Sequence, residues 1–142
     1  MMRLCASREY CCSEIRRKLS PLQADDAEEI LQKLCKEGFV DDVRYARAFA
    51  RDKSSLQGWG SIKIRLALQQ KAIDSSTIAS ALEEIDVESA AVKCEQVLKA
   101  KWKALEGEKD AARRKARFFR YAVGRGYGYD ETTRIYDYLR RD

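Results

Sequence analysis

The sequence predicts an all-α protein: three tandem three-helix units, each helix-turn-helix-like, in an elongated curved array. Apolar residues recur at three- and four-residue spacing behind acidic or polar cap residues, the pattern of short amphipathic helices. One Pro and seven Gly in 142 residues are too few for the turns of an all-β chain. The chain also resembles itself at a period of about 45 to 50 residues.

Each element follows from local chemistry. Asp25-Asp26-Ala27-Glu28 reads as a capped helix start, and Ile30, Leu31 and Leu34 supply its stripe before Gly38 stops it in left-handed geometry. Asp41 or Asp42 caps the next helix, which turns Val43, Ala46, Ala50 and Phe49 inward until Gly58-Trp59-Gly60 breaks it. A helix with the pairs Ile62/Leu66 and Ile64/Leu68 ends near Ala72. Asp74 and Ser75 cap another, with Ile78, Leu82 and Ile85 as its stripe. Asp86 opens a long helix through Ala90, Cys94, Val97 and Leu98 to about Leu105. Gly107 interrupts, a basic helix runs to about Arg125 before Gly126, and Asp130 caps the last helix.

Stacking these pieces gives the repeat. Glu14 to Leu19 lies over Lys63 to Leu68, Lys71-Ala72-Ile73 over Arg125-Gly126-Tyr127, and Asp42, Ala46, Ala50 over Asp86, Ala90, Cys94. The expected units are 1–38, 39–84 and 85–142. A three-helix unit of this size buries little surface alone, so tandem units gain stability by covering one another.

Composition excludes much chemistry. With no His there is no Ser-His-Asp or Cys-His unit, no HExxH zinc site and no imidazole switch. Cys5, Cys11, Cys12, Cys35 and Cys94 are odd in number and contain no CxxC, which argues for a reducing cytoplasm and against a disulfide framework or a thiolate metal site. They read as small buried residues on helices. The carboxylates Asp25, Asp26, Asp41, Asp42, Asp86 and Asp130 sit at helix starts, where they complement the dipole, so no acid/base pair or cation site stands out. No apolar run approaches the about 18 residues of a membrane span, and no secretory signal is visible. The expectations are a non-enzyme, no cofactor or metal, a cytoplasmic monomer and no membrane contact.

Charge points instead to binding. The net charge is +5, and residues 85–142 hold fourteen basic against ten acidic side chains. Arg113, Arg117 and Arg120 share one helix face, extended by Lys109, and could meet phosphates or an acidic protein surface. A solvated helix face is the plain alternative. Arg44, Arg47 and Arg51 form a second ridge, either a partner-binding edge or the polar side of an ordinary amphipathic helix. Trp59, followed by Lys63 and Arg65, is either an interface anchor or a ring folded onto the core. Gly124-Arg125-Gly126-Tyr127-Gly128 follows a helix rather than a strand and lacks GK[ST], so Gly126 reads as a helix stop and not part of a phosphate loop.

The ordered set of motifs resembles the RecX family, bacterial regulators of the RecA recombinase. The matching pieces are Arg8-Glu9-Tyr10 leading into Glu14 to Leu19, Gly38 to Phe49, Gly58-Trp59-Gly60, Ile62-Lys63-Ile64-Arg65 with Leu68 and Lys71, and Arg125-Gly126-Tyr127. They span nearly the whole chain. The sequence departs from the family at Cys11, where Ser or Thr caps a helix, and at Ala72, where Gly is common. It departs again at the basic and aromatic stretch Arg117 to Tyr121, and at Tyr136 and Tyr138, where aliphatic residues are usual. The resemblance implies three tandem three-helix repeats and a non-enzymatic protein that binds the RecA–DNA filament. Such binding limits filament extension and lowers recombinase, ATPase and co-protease activity in DNA repair and the SOS response. Direct contacts with single- or double-stranded DNA are a further expectation. Candidate contacts are Arg44, Arg47, Arg51, Trp59, Lys63, Arg65, Arg113, Arg117 and Arg120. Two other classes remain open at this point: a sequence-independent DNA-binding helical protein, and a helical adaptor for a different acidic protein.

Overall fold

The computed structural model describes residues 9–141. Among them are eight α-helices and no strand: α1 (Cys12–Lys18), α2 (Ala24–Lys36), α3 (Asp42–Ser55), α4 (Ser61–Gln70), α5 (Ser75–Glu83), α6 (Val87–Ala104), α7 (Ala111–Gly124) and α8 (Tyr129–Leu139). Arg8, Cys5 and any helix preceding Cys11 lie outside the described residues.

The buried side chains form three clusters in chain order. Tyr10, Ile15, Leu19, Leu31, Leu34 and Val40 make the first, around α1 and α2. The second joins Tyr45, Ala46 and Ala50 of α3 to Ile64 and Leu68 of α4 and to Ile78 and Ala81 of α5. The third joins Cys94 and Leu98 of α6 to Phe118 and Ala122 of α7 and to Tyr136 and Leu139 of α8.

Helix ends follow local rules, with some shifts from the sequence expectation. Asp41 Oδ1 accepts from the Val43 and Arg44 amides at 2.9 and 3.1 Å, and Asp86 and Asp110 cap α6 and α7 in the same way. Helix α2 begins two residues before an Asp25 cap would start it, with Gln23 at its N-cap, so Asp25 and Asp26 fall in the first turn. Helix α8 begins at Tyr129 behind Gly128, which moves Asp130 inside the helix. Helix α4 ends through Ala72, a non-glycine residue at φ 58°, and the Ile73 amide then bonds the Leu68 carbonyl at 3.2 Å. Gly126 (φ 90°) ends α7 with the equivalent bond, Tyr127 to Ala122 at 3.1 Å. That shared stop explains why Lys71-Ala72-Ile73 and Arg125-Gly126-Tyr127 align.

Three of the expected inward residues point outward. Val43 is 49% exposed, Ile62 41% and Leu66 54%, whereas Ile64 and Leu68 are fully buried. Packing among α3, α4 and α5 selects one stripe of each helix, and the second stripe of α4 faces solvent. Cys35 is also exposed, whereas Cys11 and Cys94 are buried as expected and Cys12 is half-buried.

Two joints link the clusters. Cys11 precedes α1 yet lies fully buried in the second cluster. Beside it, Ser13 Oγ donates to the Lys71 carbonyl at 2.5 Å and Lys71 Nζ sits 3.2 Å from Glu14 Oε2. Burial works against the Glu14 carboxylate, but the Cys11 amide and the Lys71 ammonium outweigh it and hold its pKa below the ordinary value. The second joint locks Gly58-Trp59-Gly60 against Arg125-Gly126-Tyr127. The Gly60 amide donates to the Arg125 carbonyl at 2.7 Å and the Ile62 amide to the Gly126 carbonyl at 3.2 Å. The Tyr127 hydroxyl donates to the Gly58 carbonyl and Arg125 Nη2 to the Gln57 carbonyl. Burial, with Cys94 nearby, pushes the Tyr127 hydroxyl up to about 12, so it remains a donor. A Cβ on Gly60 would stand 2.2 Å from the Gly126 oxygen, and one on Gly126 would stand 2.4 Å from Lys63 Cβ. Only glycine permits this approach of two backbones.

Candidate partner-binding surfaces

The first ridge is built by α3. Its Asp41 cap fixes the helix phase, Ala46 and Ala50 anchor one side in the core, and Arg44, Arg47 and Arg51 emerge on another. All three arginines line an open groove of about 1250 Å³, whose far wall is the start of α6 with Glu88, Val92 and Lys93. Arg44 Nε lies 2.8 Å from Glu9 and its Nη2 donates to the Gly38 carbonyl at 3.0 Å. Arg47 Nε meets Glu84 at 2.6 Å, and Arg51 Nε meets Asp52 at 3.3 Å. Each arginine is roughly half-exposed or more, so each pair contributes only about 0–1 kcal/mol. A phosphate or carboxylate from a partner can displace such contacts at small cost. Two of the groove's other carboxylates are already engaged: Asp41 caps α3, and Asp86 holds the Glu88 amide and the Ser89 hydroxyl.

Trp59 belongs partly to the core. It is half-buried, packs on the second cluster and meets Phe49 edge-on at 6.1 Å. The ammonium groups of Lys63 and Lys53 lie 4.2 and 4.8 Å from its ring centre, so Lys63 is positioned by the tryptophan. Arg65 lies apart from the α3 ridge and lines a smaller hollow of about 550 Å³ between α4 and α5, with Gln69, Ile78 and Leu82.

The basic run of α7 divides by face. Arg113 and Arg117 share Glu108, at 3.8 and 3.6 Å, and Arg120 is exposed one turn further on. Arg114 instead lies flat on Trp102, 3.4 Å from the ring centre, and donates to the Trp102 carbonyl at 2.7 Å. Lys115 lies over Tyr136 at 5.3 Å. Trp102, Phe118, Phe119 and Tyr136 form one edge-on aromatic cluster, which gives the unusual aromatics of this end a packing role. The candidates thus fall in separate places: a groove wall, a tryptophan platform, a small hollow and an exposed face of α7. Sequence spacing did not single out Arg114, because its partner Trp102 comes from α6; nor did it single out Lys53, at the Trp59 ring, or Lys93, on the groove wall.

Among the described residues, no helix is long and apolar enough to cross a membrane, and no group of three or more His, Cys, Asp or Glu side chains is placed to hold a metal ion.

Comparison with known proteins bears on the whole chain. A model of the RecX second three-helix domain matches residues 41–82. The chain is 30% identical to the regulatory protein RecX of Pectobacterium atrosepticum, over 95% of this chain and 92% of that one. It is 32% identical to the regulatory protein RecX of Pseudomonas entomophila, over 94% and 85%. The crystal structure of RecX from Lactobacillus salivarius matches with a TM-score of 0.82 at 19% identity, covering 99% of this chain and 92% of that one, which shows the shared fold. On the strength of these near full-length similarities, the chain belongs to the RecX family of regulatory proteins.

Proposed function

We propose that this protein binds the RecA–DNA filament and limits its extension, lowering recombinase, ATPase and co-protease activity as a consequence. The observation that carries the reading is the groove between α3 and α6, where Arg44, Arg47 and Arg51 stand in a row behind weak, exchangeable ion pairs. We take the three buried clusters as the cores of tandem units 1–38, 39–84 and 85–142, with Val40 packing back onto the first core and Cys11 reaching forward into the second. Units held in series by hydrogen-bonded joints can contact adjacent subunits of a filament at once, which raises avidity without a strong single site. Preferential binding to one filament conformation then shifts its population. Trp59, Lys63, Arg65, Arg113, Arg117 and Arg120 are secondary contacts in this reading, and DNA phosphates add a salt-dependent electrostatic contribution. The protein acts by binding, in the cytoplasm, as a monomer.

The test is a titration of the protein into RecA assembled on single-stranded DNA, following ATP hydrolysis, beside a naked-DNA binding control at matched salt. Inhibition well below one protein per RecA supports action on filament growth. Absence of inhibition with DNA binding intact overturns the proposal and leaves a sequence-independent DNA-binding protein. Loss of both favours an adaptor for another acidic protein.

A further inference from the structure

We propose that Cys12 and Cys35 form a reversible redox modification site, which an oxidant of the peroxide class converts to an intramolecular disulfide tying α1 to α2. The two sulfurs already touch, 3.7 Å apart across the helix pair. A disulfide bond of about 2.05 Å therefore needs only about 1.7 Å of further approach. Access distinguishes this pair from the other described thiols. Cys11 is fully buried and Cys94 nearly so, whereas Cys35 is open to solvent in the last turn of α2 and Cys12 is half-buried behind it. Cys12 is also held in place: its own amide donates to Asp42 Oδ1 at 2.8 Å, at the start of α3.

The two thiols take different roles. Burial first, then the Asp42 carboxylate, pushes the Cys12 thiol up to about 12, so it stays protonated at neutral pH. Cys35 is thus the sulfur that meets peroxide. Its thiolate displaces hydroxide from the O–O bond and becomes a sulfenic acid. The Cys12 sulfur then attacks the Cys35 sulfur and the S–O bond breaks. The departing hydroxide takes the Cys12 proton and leaves as water. Two thiols and one peroxide give one disulfide and two waters, with two electrons passing from sulfur to oxygen. In a reducing compartment the pair rests as thiols, and dithiol reductants restore it.

The test uses the full-length reduced protein at neutral pH with stoichiometric hydrogen peroxide, followed by alkylation, trypsin digestion and fragment-ion mass spectrometry. The expected result is one linked peptide joining residues 9–16 to 34–36. Fragment ions should assign the bond to Cys12 and leave Cys11 alkylated. Two of the five thiols should disappear and return with dithiothreitol. Cys35→Ser, at an exposed position, should abolish the link while preserving helical circular dichroism. Unchanged thiols, sulfinic acid at Cys35 without a link, a bond to Cys11, or a bond between two chains would each overturn the proposal.

Discussion

Substituting Gly60→Ala tests the joint between the second and third clusters. The added methyl carbon would stand 2.2 Å from the Gly126 oxygen, 2.3 Å from its carbonyl carbon and 2.7 Å from the Tyr127 nitrogen, all backbone atoms that cannot rotate away. The two loops must therefore separate, and the bonds from Gly60 to Arg125 and from Ile62 to Gly126 stretch or break. Losing two backbone hydrogen bonds costs about 2 kcal/mol, and the steric displacement adds about 1–3 kcal/mol. A destabilisation of about 3–5 kcal/mol lowers Tm by about 10–15 °C in a chain of this size. Thermal unfolding followed by circular dichroism gives the first number. Hydrogen exchange at the Gly60 and Ile62 amides locates the damage. A variant that melts within about 2 °C of the parent, with both amides still protected, would refute the interlock.

Two further outcomes follow from backbone strain and charge. Ala72 occupies the left-handed region at φ 58°, which costs an L-residue about 1 kcal/mol, so Ala72→Gly should stabilise by up to that amount, offset in part by the freer unfolded chain; a melt that falls would contradict this reading of the helix stop. Glu14 has a folded pKa held below its ordinary value, so its contribution is fully present above the ordinary glutamate pKa of about 4.3 and is lost as pH falls through the folded value. Lys71, raised despite burial by Glu14 and Tyr45, contributes below the ordinary lysine value and loses that contribution as pH rises through its folded value. Glu14→Gln should flatten the acid limb of a stability–pH curve, and an unchanged acid limb would remove the pair from the joint.

Much of the helical order was legible in the sequence because caps and stops are local. Asp41 and Asp86 cap helices through their own neighbours, and Gly38 and Gly126 take the left-handed geometry their positions suggested. Helix phase was less legible. Ile62/Leu66 and Ile64/Leu68 have the same spacing, and only packing against α3 and α5 decides that the second pair is buried. The joints were not legible at all, since Gly60 meets Gly126 and Glu14 meets Lys71 across long stretches of chain. The same limit applies to the arginine ridge. Its three-residue and four-residue spacing is visible, but Glu9 and Glu84, which temper its charge, arrive from other parts of the fold. Arg114 is the converse case, a member of a basic run that packs on Trp102.

The most direct test of the central claim compares the parent protein with the triple variant Arg44→Glu, Arg47→Glu, Arg51→Glu for binding to RecA assembled on single-stranded DNA at fixed salt. These side chains are exposed and the core beneath them is untouched, so circular dichroism should report an intact fold. The account predicts that affinity falls at least tenfold, about 1.4 kcal/mol, and that inhibition of ATP hydrolysis falls with it. A folded triple variant that binds and inhibits like the parent would contradict it.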